Sequence, residues 1–192
     1  MMQSLYTAST GMLGMQTQID TTANNIANVN TIGFKKSRAE FADLMYHVSE
    51  YAGTSTSDVT KSPTGIEVGL GVRPTAINKI FSEGSLKQTD NQLDIAITGN
   101  GFFKMELPDG TEVFSRNGAF KIDDNGSVVN SDGYTLIPEV VVPPDATNVS
   151  IGTDGTVTVV QAGQTQATQI GQVTTTNFIN PAGLHSLGDN LY

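Results

Sequence analysis

The stretch NGFFKMELPDGTEVFSRNGAFKIDDNGSVVNSDGYTLIP, residues 100–138, decides the fold class of this chain. Short apolar runs alternate in it with Asn-Gly and Asp-Gly dipeptides, which supply the positive φ angle that tight turns need. Turns at this spacing favour a meandering sheet, a small barrel or a sandwich over alternating strands and helices. With one more dipeptide downstream, the series is Asn100-Gly101, Asp109-Gly110, Asn117-Gly118, Asn125-Gly126, Asp132-Gly133 and Asp154-Gly155.

The period of two that is typical of strands continues on both sides of this stretch. Apolar residues alternate with polar residues or glycine from Ile66 to Val72, and again at Ile95 and Ile97, so we predict strands at both places. Residues 155–178, GTVTVVQAGQTQATQIGQVTTTNF, predict two or three further strands. Because the faces of these last strands are rich in Gln and Thr, we expect a thin or partly shared core.

Residues 1–34 follow a helical period instead. Asp20 is the only charged side chain among them, and Gly11 and Gly14 weaken the intrinsic stability of a helix. We therefore expect a coiled-coil-type helix that stays disordered until neighbouring chains surround it, whereas an ordinary amphipathic helix covering its own domain is the alternative. Its stripe has alternating steps of three and four, broken only by Thr22, and consists of Leu5, Ala8, Met12, Met15, Ile19, Thr22 and Ile26.

A run of asparagines lies at the end of this segment. Asn24, Asn25 and Asn28 would share one side of a helix, away from the apolar stripe, where their amides could reach a neighbouring chain. The alternative is that these poor helix formers, together with Asn30, only announce the end of the helix before Gly33. The residues leave both interpretations open.

Residues 35–63 are more mixed in composition. Phe41, Leu44, Met45 and Val48 recur at helical spacing, which predicts a further helical turn or two. The Thr- and Ser-rich run that follows predicts a loop or an extended arm. We interpret the whole stretch as an insertion that makes contacts with other molecules.

The composition excludes several classes of function. Nineteen acidic against ten basic residues disfavour nucleic acid and anionic membrane surfaces as partners. Without cysteine there is no thiolate chemistry or disulfide, and no segment has the pattern of a cleaved signal peptide or a membrane span.

Candidates for catalysis or ligand binding are equally few. His47 and His185, the only histidines, lie far apart and lack a paired carboxylate motif, so we expect both to be surface residues. Residues 122–129, IDDNGSVV, lack the full ligand set of a calcium loop and predict a hairpin turn. We expect no catalytic residue, cofactor or metal.

Three blocks of the sequence carry a resemblance to a known family. Residues 4–46, with the core ANNIANVNTIGFK at 23–35, resemble the N-terminal signature of bacterial flagellar rod and hook proteins. Residues 94–138 are similar to the conserved β-domain of that family, and residues 180–192, NPAGLHSLGDNLY, to the stretch that closes it. Residues 37–77 look most like the distal-rod members.

The resemblance implies a structural function without catalysis. Many copies would polymerise helically into a straight, rigid driveshaft that spans the periplasm to the outer membrane and transmits torque from motor to hook. The implied partners are further copies of the chain, proximal rod proteins, the hook protein and the surrounding P and L rings. The resemblance also implies delivery by the flagellar type III export apparatus, without a cleaved signal peptide.

A hypothesis about assembly residues follows from the stripe and the resemblance together. The apolar side chains would pack against partner helices, the four amides would form hydrogen bonds in the tube wall, and Gly33 with Phe34 would mark the transition to the outer domains. Residues 46–63 would lie between neighbouring subunits and keep the polymer straight. The predicted interface is Leu5, Met12, Met15, Ile19, Ile26, Asn24, Asn25, Asn28, Asn30, Gly33, Phe34, Tyr46, Tyr51 and Pro63.

The predicted architecture is therefore α+β and mostly β. Residues 1–34 form a helical core segment, residues 35–63 a linker and extension, and residues 64–192 an all-β outer domain of short antiparallel strands. Family members end in a second heptad helix that has no counterpart before Tyr192, so we expect a C-terminal portion to be missing. The alternatives are a hook protein or a proximal rod subunit and, more distantly, a secreted β-domain that binds a glycan or partner and carries an oligomerisation helix.

Overall fold

The computed structural model of the protein describes residues 2–55, 61–164 and 166–192. These residues form one α-helix, thirteen short strands in small antiparallel sheets and one turn of 3-10 helix, which confirms the predicted α+β, mostly β fold class. The elements are α1 (Met2–Ala27), β1 (Ser37–Asp43), β2 (Tyr46–Glu50), β3 (Ile66–Gly69), β4 (Val72–Lys79), β5 (Phe102–Glu106), β6 (Glu112–Ser115), β7 (Lys121–Ile122), β8 (Val128–Val129), β9 (Thr135–Ile137), β10 (Ala146–Ile151), β11 (Thr156–Gln161), β12 (Thr168–Gln172), β13 (Thr175–Thr176) and η1 (Pro181–Gly183).

The chain forms two compact units. The first, called here the helix–hairpin unit, comprises Met1–Val29 and Lys36–Ile80, and the second, the β unit, comprises Asn30–Lys35 and Phe81–Tyr192. Strand pairing joins residues 37–50 to residues 66–79, so the boundary that we predicted after Pro63 falls inside the first unit.

The helix–hairpin unit contains α1 and two antiparallel strand pairs. β1 pairs with β4, and β2 pairs with β3. The helical turns predicted from Phe41, Leu44, Met45 and Val48 are wrong, because these residues lie in or between β1 and β2. Their helical spacing is outweighed by pairing with strands that lie further along the chain, which a local pattern does not reveal.

The predicted loop or extended arm continues the β2–β3 pair. Backbone bonds run from Gly53 N to Ser62 O and from Ser62 N to Thr54 O, and Ser55 forms a bridge with Lys61. The described part of the arm is therefore the outer end of a hairpin. The rest of the predicted arm, residues 56–60, lies outside the described residues.

The β unit is built around β5. One edge of β5 pairs with β6, and the other edge pairs first with β13 and then with β9. Strands β9, β8 and β7 follow in that order, and β10, β11 and β12 form a separate three-stranded sheet. The prediction of a partly shared core is confirmed, because Val157 of β11 lies in the same buried cluster as Phe103 and Leu136 of the larger sheet.

The turn dipeptides behave largely as predicted. Five of their six glycines have positive φ angles, from 79° at Gly155 to 144° at Gly101. The hairpin predicted at residues 122–129 is confirmed, since β7 and β8 pair across it and Gly126 N donates to Asp123 O. The strand predicted at Ile95 and Ile97 is wrong, because both residues lie outside the strands, although Ile95 N donates to Gly118 O at 2.9 Å.

Candidate functional site

Helix α1 packs within its own unit through its small residues. Gly14 and Thr21 are buried, and a Cβ at Gly14 would lie 3.4 Å from the Phe41 ring and 3.5 Å from Val72. The Thr10 hydroxyl accepts a bond from Val72 N at 3.4 Å and donates to Thr7 O at 2.8 Å. Small side chains on this face therefore let the helix approach β1 and β4 closely.

The predicted apolar stripe lies on the exposed side of the helix. Leu5, Met12, Met15, Ile19 and Ile26 are 65–69% exposed in the chain. Further large apolar side chains on the same helix are exposed but were absent from the predicted interface, although large apolar residues in an almost uncharged segment could have indicated them: Met2, Tyr6 and Leu13. A row of apolar side chains of this length, next to one charged residue, is typical of a surface that another molecule covers.

The asparagines have different environments. Asn25 Nδ2 donates to Ser37 O and Asn25 Oδ1 accepts from Ser37 N, both at 2.8 Å, so this amide holds the start of β1 against the end of α1. Asn28 Nδ2 donates to Asn24 O at 3.0 Å, within the last turn of the helix. The Asn24 and Asn30 side chains are exposed, and their predicted contacts with neighbouring chains stay a prediction.

Gly33 and Phe34 lie in the β unit. Helix α1 ends at Ala27, before Gly33 and within the predicted core segment 1–34, and Val29 N donates to Ile26 O just beyond the helix. Gly33 has φ 77° and lies against the backbone of Arg116 and Asn117. Phe34 N donates to Thr31 O at 3.3 Å. Both residues thus have partners within this subunit.

The remaining predicted interface residues lie on the β2–β3 hairpin. The Tyr46 ring packs over Gly69, and a hydrogen bond to the Asp43 carboxylate raises the pKa of Tyr46. Tyr51 and Pro63 are exposed near the outer end of the hairpin. The structure brings Tyr51 and Pro63 to the same strand pair as Tyr46, and their predicted role between subunits stays a prediction.

The described residues contain little that could support catalysis. His47 and His185 are both exposed, as predicted. No group of His, Asp and Glu side chains among the described residues is arranged to hold a metal ion. In the part of the chain that the structure describes, no helix has both the length and the apolar character needed to span a membrane.

The geometry is typical of one class of protein, a structural subunit, because α1 exposes a long apolar stripe. The comparisons with known proteins agree with this class. The family described as flagella basal body rod protein matches residues 5–35, and the family described as flagellar hook protein FlgE/F/G D1 domain matches residues 96–159.

Individual relatives extend the match to the whole chain. The flagellar basal-body rod protein FlgG of Buchnera aphidicola subsp. Schizaphis graminum is 48% identical over 192 residues, which are 100% of this chain and 74% of the relative. FlgG of Bacillus subtilis is 42% identical over 199 residues, 100% of this chain and 73% of the relative. The flagellar hook protein FlgE of Helicobacter mustelae is 40% identical over 137 residues, 71% of this chain and 30% of the relative.

This chain belongs to the flagellar basal-body rod protein family. It is a structural subunit of the flagellar basal body and not an enzyme.

Proposed function

We propose that the protein polymerises helically into the distal part of the rod and that the polymer transmits torque from motor to hook. The observation that carries this proposal is the exposed apolar stripe of α1. A stripe that packs against a different surface of the next copy is a heterologous contact, which generates a helical filament when the rotation does not close. Similarity to FlgG over the whole of this chain, which is 74% of that relative, favours the distal rod.

A position in the distal rod also implies which proteins contact this chain and where it lies in the cell envelope. We propose that further copies, proximal rod proteins and the hook protein contact this chain, and that the P and L rings surround it between the periplasm and the outer membrane. Export by the flagellar type III apparatus fits a helix that carries one charged side chain, because such a segment is weakly stable until it is packed.

A hook protein or proximal rod subunit is the second candidate. The FlgE match favours it, because it reaches 40% identity over 71% of the chain. It covers less of the chain than the FlgG matches, which include the β2–β3 hairpin. Electron microscopy of the polymer distinguishes the hook from the distal rod, because a hook is curved whereas a distal rod is straight.

The stripe can be tested by complementation in a flagellated bacterium that lacks its own copy of the gene. Met12→Gln combined with Ile19→Gln should leave export intact and abolish rod assembly, because both side chains are exposed in the single chain. Gln16→Ala combined with Gln18→Ala, at exposed polar positions of the same helix, is the matched control and should restore motility.

Isolated basal bodies, swimming and circular dichroism of the purified variants are the measurements. Straight rods and normal swimming with the Met12 and Ile19 double variant would contradict the proposal. Failure of the control variant would also contradict it, since the apolar stripe would then not be the determining feature.

A further inference from the structure

A six-residue segment of the rod family signature belongs to a different unit from its neighbours in the sequence. Asn30–Lys35, NTIGFK, lies in the β unit, whereas α1 before it and β1 after it lie in the helix–hairpin unit. The chain therefore passes between the units after Val29, after Lys35 and after Ile80. We call Asn30–Lys35 the strap.

The first contact of the strap involves two stretches of backbone. Gly33 has φ 77°, which favours glycine. A Cβ at Gly33 would lie 2.8 Å from Asn117 N and 3.0 Å from the carbonyl carbon of Arg116. Any larger residue would therefore be strained and would push the strap away from residues 116–117.

The second contact is a hydrogen bond from a residue far away in sequence. Asn190 Nδ2 donates to Ile32 O at 2.9 Å. Asn190 is itself held in place, because Ser115 Oγ donates to Asn190 O at 2.9 Å and accepts from Asn117 N at 3.1 Å. Ser115 is only 1% exposed, so the bonds that position Asn190 are largely shielded from water.

The third contact fixes the end of the strap. Lys35 Nζ donates to Ser82 O at 2.7 Å. Burial lowers the pKa of Lys35 and the nearby Arg116 guanidinium lowers it further, whereas Glu83 acts in the opposite direction. The ammonium group is thus held by a backbone carbonyl in a partly desolvated position.

We propose that the strap is a docking segment, and that Ser82, Ser115, Asn117 and Asn190 form a dedicated binding site for it in the β unit. When the strap is docked, the β unit holds two stretches of backbone: the one that leaves α1 and the one that enters β1. Asn25 closes the base of the same loop through its two bonds to Ser37. This assigns the NTIGFK part of the signature to a connection within one subunit.

Limited trypsin digestion of the purified chain tests the proposal. Trypsin cleaves after Lys35, and cleavage requires that the segment leave its binding site. Gly33→Ala and Asn190→Ala should each accelerate cleavage after Lys35 by about tenfold or more, whereas cleavage after the exposed Lys87 should not change. Gly110→Ala is the matched control, because Gly110 has φ 81° but no atom within 4 Å of its Cβ position.

The outcomes separate the strap from the proposed function, because digestion is read on the unassembled chain. If the wild-type chain is cut after Lys35 as fast as after Lys87, or if neither variant accelerates the cut, the strap is not docked and the proposal is overturned. If Gly33→Ala unfolds the whole chain, which rapid cleavage within β5 after Lys104 would reveal, Asn190→Ala decides.

Discussion

At the residue scale, Tyr192 shows how one side chain joins two parts of the β unit. Its ring makes edge-to-face contacts with Phe81 and Phe102, with centroids 5.5 and 5.8 Å apart. Its backbone exchanges two hydrogen bonds with Phe114 of β6, at 2.9 and 3.0 Å. Edge-to-face ring contacts contribute about 0.5–1.5 kcal/mol per ring pair in addition to the free energy of burying the rings.

Tyr192 gives a prediction about stability at alkaline pH. Burial raises the pKa of the Tyr192 hydroxyl above its usual value of about 10. The pKa of Tyr192 is therefore higher in the folded chain than in the unfolded chain. Between these two pKa values the folded chain binds more protons than the unfolded chain, so the free energy of unfolding falls as the pH rises through this range. Tyr192→Phe should remove this part of the alkaline loss, with no change in slope below about pH 9.

Urea unfolding between pH 8 and pH 11.5 measures this effect. Tyr6→Phe, at an exposed position on α1, is the control and should retain the wild-type slope. The prediction is wrong if the Tyr192→Phe chain loses stability above pH 10 as steeply as the wild-type chain does.

Single residues also show where a sequence pattern is sufficient and where it is not. Asp-Gly and Asn-Gly dipeptides predict left-handed glycines because the preference is local, and five of the six glycines have positive φ. Gly118 is different: its Cβ would collide with Ile95 O, so glycine is required there by a segment more than twenty residues away. Asn117-Gly118 is the same kind of dipeptide as the others, but the reason that it requires glycine is a long-range contact, which the sequence does not reveal.

At the scale of elements, α1 carries two glycines with opposite surroundings. Gly11 has no atom within 4 Å of its Cβ position, whereas Gly14 faces Phe41 and Val72. Gly11→Ala should stabilise the helix by up to about 1 kcal/mol, because alanine has the higher helix propensity. Gly14→Leu should destabilise the helix–hairpin unit by about 1–3 kcal/mol, because its side chain does not fit against β1 and β4.

Circular dichroism at 222 nm during thermal unfolding measures both changes, since α1 is the only α-helix among the described residues. Gly84→Ala, at an exposed position of the β unit with no atom within 4 Å of the Cβ position, is the neutral control. Equal stabilisation by Gly11→Ala and Gly14→Leu would show that α1 does not pack on β1 and β4 in solution.

The strands show why some elements were predicted correctly from the sequence and others were not. Strands β7, β8 and β9 are joined by short turns, so local signals predicted them. Strand β1 pairs with β4, and β2 pairs with β3, so at least residues 51–65 separate each strand from its partner. The spacing of the apolar residues within β1 and β2 suggested a helix instead. Pairing at this separation depends on chain topology, which periodicity does not encode.

At the scale of the whole molecule, the candidate site was predictable only where its residues recur at a regular spacing along the sequence. The exposed stripe follows from steps of three and four residues. The binding of Asn25 to Ser37, and of the strap to Asn190, depends on partners 12 and 158 residues away. The sequence therefore predicted the apolar stripe that the structure exposes, and missed the long-range hydrogen bonds of Asn25 and Asn190.

The charge distribution gives the last prediction. The β unit carries thirteen acidic and five basic side chains, most of the excess negative charge of the chain. In the proposed polymer, neighbouring β units would repel one another, and dissolved salt screens such repulsion beyond about 10 Å at 0.1 M ionic strength. The critical concentration for polymerisation should therefore fall several-fold between 20 and 300 mM NaCl.

Sedimentation of the polymer measures this critical concentration. Asp90→Asn combined with Asp145→Asn removes two exposed charges of the β unit and should lower the critical concentration at 20 mM NaCl while weakening its salt dependence. The two substitutions change neither the apolar stripe nor the strap, so a shift reports on repulsion alone. A critical concentration that rises with salt would show instead that ion pairs between copies hold the polymer together.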